Sequence, residues 1–247
     1  MKNIVLIFIL LFSWCSYVSS ADSTFQIGIE DIMQEDYKKA QNDFLKSTEK
    51  QPSFSSYYNL GVASGSLNDW NKAKWAFEAS LKYKPLNGDA QYNAKFATQK
   101  LSRNITWTHP YPWLERIMLG FGTTTWIIAV SISSIFLGLL IFNSLSKGKS
   151  NLKKWCIRLI IPAILIFSVA FYGIYSTNKH YNVERYAILK NSDTKFHISP
   201  NGVQIRDEIS SGNRFEIVKY FKDSVWVQVK TVEHNLLWVK SEGLYTY

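Results

Sequence analysis

The sequence predicts a multidomain membrane protein with three unlike parts: an all-α helical repeat, a two-helix transmembrane hairpin and a small all-β barrel. Three observations predict it. The pattern Asp-aromatic-x-Lys-Ala-x-x-x-Phe occurs at 36–44 and again at 69–77, an offset of 33 residues. Two apolar runs, Trp126–Phe142 and Trp155–Tyr175, are separated by a short basic stretch. From Tyr186 onward the apolar residues fall into short β-branched and aromatic runs divided by turn residues.

The N-terminus has Lys2, an apolar run Asn3–Trp14, and small residues at Ser19, Ser20 and Ala21. A basic start, a short apolar core and a small-residue cleavage site predict a secretory signal over 1–21. The run falls short of the ~20 residues of a spanning helix. Cys15 opens a lipoprotein alternative, which the bulky Trp14 before it disfavours.

Residues 22–104 hold the repeat. Seven identities share the 33-residue offset: Gly28/Gly61, Asp36/Asp69, Lys39/Lys72, Ala40/Ala73, Phe44/Phe77, Ser47/Ser80 and Pro52/Pro85. A period of this length signals stacked supersecondary units. Tyr37, Ala40 and Phe44 share one helical face, as do Trp70, Ala73, Phe77 and Leu81. Gly28 and Gly61 suit a close approach of the preceding helix, Asp36 and Asp69 suit helix-start caps, and Pro52 and Pro85 end each unit. Asn87–Leu101 reads as a third opening helix, its Gln91, Lys95, Gln99 and Lys100 facing solvent to cap the stack.

Residues 105–119 form a Trp/Pro-rich linker. Its Trp107, Tyr111 and Trp113 suit a bilayer surface, and Pro110 and Pro112 suit an extended chain. Spans are expected at 120–143 and 155–176, with Pro162 in the first turns of the second. The loop 144–154 between them carries Lys147, Lys149, Lys153 and Lys154 and no acid, which predicts a cytoplasmic loop and both flanking domains on the outer side. Exporting the N-terminal part by its signal requires the same orientation. Residues 143–176 supply +5 of the net charge of +9, so the pI of 9.4 reflects topology and no nucleic-acid partner is expected.

Residues 185–247 predict about five short strands in a closed barrel, from YAILK, RFEIVKYF, VWVQVKT and LLWVK. The two cysteines fall in the signal and in a span, so no disulfide, metal or cofactor is expected. His109, His180, His197 and His234 are scattered, and no phosphate loop or nucleophile elbow is present, so no enzyme is expected. His197 and His234 meeting with Asp207 or Glu233 is the one catalytic alternative, and polar loop positions are the favoured reading.

Leu60, Gly61, Ala73, Phe77 and Pro85, with Gly28, Ala40, Phe44 and Pro52 in the first unit, resemble the tetratricopeptide repeat. Ser64, Thr24 and Ile27 depart from its consensus. The resemblance implies peptide or protein binding in a groove lined by the first helix of each unit. Repeat position then nominates Phe25, Ile29, Tyr58, Val62, Tyr92 and Lys95, each either a groove contact or a packing residue. Ala187-Ile188, Gly212, Phe215–Val218, Trp226–Val229 and Trp238-Val239 resemble a bacterial SH3-like domain. That resemblance nominates Trp226 and Trp238 as a ligand groove, with core as the favoured alternative, and allows protein or peptidoglycan binding. The order of parts is similar to the BatE (Bacteroides aerotolerance operon protein E) family. It implies a non-catalytic adaptor of the cytoplasmic membrane, working with MoxR-type ATPases and von Willebrand factor A-domain proteins.

Overall fold

In the computed structural model, residues 23–102, 106–145, 151–183, 185–205, 209–221, 225–231 and 234–247 are described. The expected signal, Lys147 and Lys149 of the basic loop, Asp207 and Glu233 lie outside them. The described chain is mostly helical, with a C-terminal antiparallel sheet and two long apolar helices.

Five helices make the repeat: α1 (Ser23–Met33), α2 (Tyr37–Lys50), α3 (Phe54–Ser66), α4 (Trp70–Tyr83) and α5 (Gly88–Leu101). Each packs on the next in sequence. The 33-residue symmetry reaches the backbone. Asp36 caps α2 by accepting from the Lys39 amide at 3.2 Å, and Asp69 caps α4 by accepting from that of Lys72 at 3.3 Å. The residues before them, Glu35 and Asn68, both have φ of 60°. At the other ends the Gln51 and Lys84 amides donate to the carbonyls of Ser47 and Ser80. A capping box of Ser53 and Ser56 starts α3, and Asn87 starts α5. Gly28 and Gly61 make room for a ring and not for a neighbouring backbone. A methyl group built on Gly28 would lie 2.9 Å from the Phe44 ring, and one on Gly61 2.6 Å from the Phe77 ring.

After α5, among the described residues, no second helix completes a third unit. Residues 106–112 run as a non-helical strap, and α6 (Trp113–Gly120) follows directly on Pro112. The three rings expected at a bilayer surface separate. Trp107 packs beside Tyr58 and Leu81, Tyr111 is buried against Leu81, Ala90 and Leu119, and only Trp113 is exposed. The first two therefore fasten the strap to the repeat, because that end of the stack has an apolar face to cover.

Helices α7 (Gly122–Leu145) and α8 (Asn151–Asn182) pack side by side as a hairpin, and both are long and apolar enough to cross a membrane. Most of their large apolar side chains, such as Ile128, Phe142, Ile161 and Phe171, are exposed. The Trp126 indole rests on Gly173 and donates to the Met118 carbonyl at 2.8 Å. Since α8 begins at Asn151, Pro162 is its twelfth residue and lies inside the helix, not in its first turns. The helix also continues six residues past the expected end of the span, to Asn182.

The C-terminal domain has seven strands: β1 (Tyr186–Leu189), β2 (Phe196–His197), β3 (Gln204–Ile205), β4 (Arg214–Phe221), β5 (Trp226–Lys230), β6 (Leu236–Lys240) and β7 (Leu244–Thr246). They form one antiparallel sheet in the order β3-β2-β6-β5-β4-β1-β7. Among the described residues no pairing joins β3 to β7, so the expected closure into a barrel is not present there. One core contains Ala187, Leu189, Phe196, Phe215, Val227, Val229 and Val239. Ile188, on the other face of β1, joins the repeat's own core with Trp75 and Tyr247. This explains why YAIL is apolar at every position: both faces of the strand are covered.

Candidate functional site

Two surfaces bear on function, one closed and one open. The closed one is the junction between repeat and sheet. On α4, Asn71, Lys74, Trp75, Glu78 and Lys82 follow one another at helical spacing along one stripe. Each is bonded to a residue at least 29 positions away in the chain. Asn71 donates to the Lys190 carbonyl at 2.8 Å, Lys74 to that of Gly212 at 2.7 Å, Trp75 to that of Thr246 at 3.0 Å and Lys82 to that of Val183 at 3.3 Å. Gly212 has φ of +80°, and a side chain there would run into Leu101, so glycine alone suits this contact.

Glu78 is at the centre, with no exposed surface. It accepts from Arg214 at 3.0 Å, from the Tyr247 hydroxyl at 2.5 Å and from the Trp107 indole at 3.0 Å. Lys74 stands 3.8 Å away. Burial pushes the Glu78 carboxyl up, but Arg214, Lys74 and the Tyr247 hydrogen bond together hold it below the usual carboxylate value. Burial pulls Lys74 down, against the pull of Glu78. Strap, repeat and sheet thus meet on one ionised carboxylate. Arg214 also holds the strap by donating to the Thr108 carbonyl and hydroxyl.

His109 is the strap's second fastening. Its Nε2 lies 2.9 Å from the Pro85 carbonyl, which can only accept, and its Nδ1 lies 3.0 Å from the Tyr111 amide, which can only donate. The same Nδ1 also lies 3.0 Å from the Tyr111 carbonyl, so backbone groups bracket the ring on both sides. Burial holds its pKa below the ordinary 6.5, with the Pro85 hydrogen bond opposing. A group whose pKa is lowered on folding stabilises fully above its unfolded value and less as pH falls through its folded one. Hydrogen exchange at 106–112 is expected to quicken as pH drops below about 6.5, beyond the intrinsic rate change. His109→Gln should remove that pH dependence.

The open surface is on α5. Tyr92 is 69% exposed and stacks on Phe96, whose ring meets Trp70 edge-on at 5.8 Å between centroids. The Lys100 ammonium lies 5.3 Å from the Phe96 centroid and 5.7 Å from that of Trp70. Lys95 is exposed on the same helix. Tyr58 and Val62 are half-buried in the cluster that includes Trp70, and Asn93 donates to the Tyr58 hydroxyl at 3.1 Å. Phe25 and Ile29 pack in a separate cluster with Phe44. The six residues nominated by repeat position thus divide into two packing groups and an exposed pair. Phe96 and Lys100 were not among them, although 92, 96 and 100 recur every four residues and so share a helical face.

Trp226 and Trp238 are 4% and 7% exposed. Both are buried side chains and do not form an open groove. His197 lies against Trp226 and its Nδ1 is 3.0 Å from the Gly202 carbonyl, while His234 occupies the β5–β6 turn with φ of 69°. A cavity of about 300 Å³ on the sheet is lined by polar residues including Asp193, Lys195, His197, Lys240 and Glu242. A second, of about 430 Å³, lies between α6 and the end of α8.

In comparisons with known proteins, the chain matches no family model and no curated protein.

Proposed function

We propose that the chain is a non-enzymatic, membrane-anchored adaptor that binds protein partners outside the cytoplasmic membrane. Its repeat is of the tetratricopeptide type and its sheet of the SH3-like type, and its short basic loop faces the cytoplasm. Its partners are the other members of a BatE-type complex, a MoxR-type ATPase and von Willebrand A-domain proteins. The observation that carries this reading is the exposed aromatic and cationic face of Tyr92, Phe96 and Lys100. Neighbouring α4 is covered by the sheet and strap, yet this face remains open, and stacked rings beside a cation suit a protein contact.

A photo-crosslinker at position 92, activated in native membranes, is expected to capture a discrete partner. Phe96→Asp should abolish capture while leaving the thermal unfolding of the chain unchanged. Capture unaffected by Phe96→Asp, or no capture in repeated attempts, would defeat the proposal. A second reading, binding of peptidoglycan fragments, is favoured by the polar cavity on the sheet. It predicts that the full chain in detergent co-sediments with wall sacculi and that Asp193→Ala with Lys240→Ala prevents this.

A further inference from the structure

The cavity between α6 and α8 differs from the one on the sheet in its gradation. Its α8 wall is a single helical stripe, Tyr172, Tyr175, Ser176, Lys179 and His180, with Val183 just past the helix end. Along that stripe aromatic rings give way to an exposed ammonium, Lys179, over a rise of about 10 Å. This is comparable to the depth over which hydrocarbon gives way to headgroups in one leaflet. The opposite wall is α6, whose Leu114 and Met118 also line the cavity. Trp113, Leu114 and Ile117 on α6 and Phe121 just after it are exposed apolar residues, as on a helix lying in a membrane interface.

The polar end is built and held. Arg185 pairs with Glu115 across the cavity, and His180, 2% exposed, has its Nε2 3.1 Å from the Lys82 carbonyl. The His180 contact fixes the end of α8 to the repeat, and the Arg185 pair ties α6 to the start of the C-terminal domain. The formal charges at this end are those of Glu115, Lys179 and Arg185, so one positive charge is left over. A ligand with one negative charge at the polar end and a hydrocarbon chain at the other matches that wall in both respects.

We propose that this cavity binds a glycerophospholipid, its phosphodiester against Lys179 and Arg185 and its first acyl carbons along Tyr172, Leu114 and Met118. The proposal rests on the membrane-embedded reading of α7 and α8. A lipid seated here fills the angle between interfacial helix, span and head, and so stiffens the mounting of the repeat on the membrane.

The test is native mass spectrometry of the full chain released from membranes in detergent. Wild type is expected to retain one glycerophospholipid per chain at collision energies that strip the detergent. Lys179→Glu, at an exposed position, should lower retention about tenfold, the loss of one charge-assisted contact, and Lys179→Arg should preserve it. Short-chain phosphatidylglycerol should displace the lipid, and inorganic phosphate should not. Equal retention by wild type and Lys179→Glu, both folded by circular dichroism, would overturn the lipid site. Displacement by inorganic phosphate alone would overturn it too, as a plain anion site. A chain recovered from cells without detergent would overturn the membrane reading and the lipid site with it, an outcome distinct from the other two.

Discussion

Glu78→Ala is expected to cost about 3–5 kcal/mol and to release the sheet from the repeat. The side chain is fully buried among Arg214, Lys74, Tyr247 and Trp107. Removing it leaves two cations and two polar hydrogens facing one another without a counter-charge. The penalty is mainly that of stranded partners, since desolvation offsets much of the attraction in a buried ion pair. Replacing Glu78, Lys74 and Arg214 together by apolar residues of similar volume should therefore cost less than removing Glu78 alone. Denaturant unfolding of the three proteins, followed with a crosslink between α4 and β7, checks both statements. A single alanine that unfolds like wild type would refute the cluster's role. The same carboxylate gives an acid dependence. Its pKa is lowered by folding, so its contribution is complete above about 4.5 and is lost as pH falls through the depressed folded value.

Gly61→Leu is expected to destabilise the repeat by about 3 kcal/mol, the upper end of what overpacking costs. A methyl group at Gly61 would already lie 2.6 Å from the Phe77 ring, and that ring is held by Tyr58 and Ala73 around it. The clash is specific to one ring, so a second substitution reveals it. Phe77→Ala alone leaves a cavity and costs about 3–5 kcal/mol. In the Gly61→Leu background the same change should cost much less, because leucine occupies part of the vacated space. Strict additivity of the two would show that glycine and ring do not share the site.

Much of this could be read in advance. Asp36 and Asp69 cap their helices as expected, and the period marked Gly28 and Gly61 as equivalent contact points, although what they accommodate is the Phe44 and Phe77 rings and not the expected neighbouring backbone. The four longer strand runs were visible as β-branched and aromatic stretches, several of them alternating. The short β2 and β3 were not, since two residues carry no period. The open face was half visible. Tyr92 was nominated by its place in the repeat and Lys100 was expected to face solvent, whereas Phe96 between them needed its observed 39% exposure.

The junction was hidden for a different reason. Asn71, Lys74, Glu78 and Lys82 occupy the polar side of an amphipathic helix, and such a side ordinarily faces water. In the fold that side is buried, because the groups that satisfy it come from residues 183–247 and from the strap. Trp107 and Tyr111 were likewise placed at a lipid surface, when the unfinished end of the repeat offered them a protein surface instead.

By itself the sequence determined the longer elements, whose pattern depends on neighbours within a turn or two of the chain, and the 33-residue period that repeats them. The tertiary structure alone decided that repeat, strap, helix end and sheet form one joined head. Hydrophobic periodicity registers which apolar residues must leave water. It cannot register a carboxylate that leaves water because an arginine 136 residues away comes to meet it.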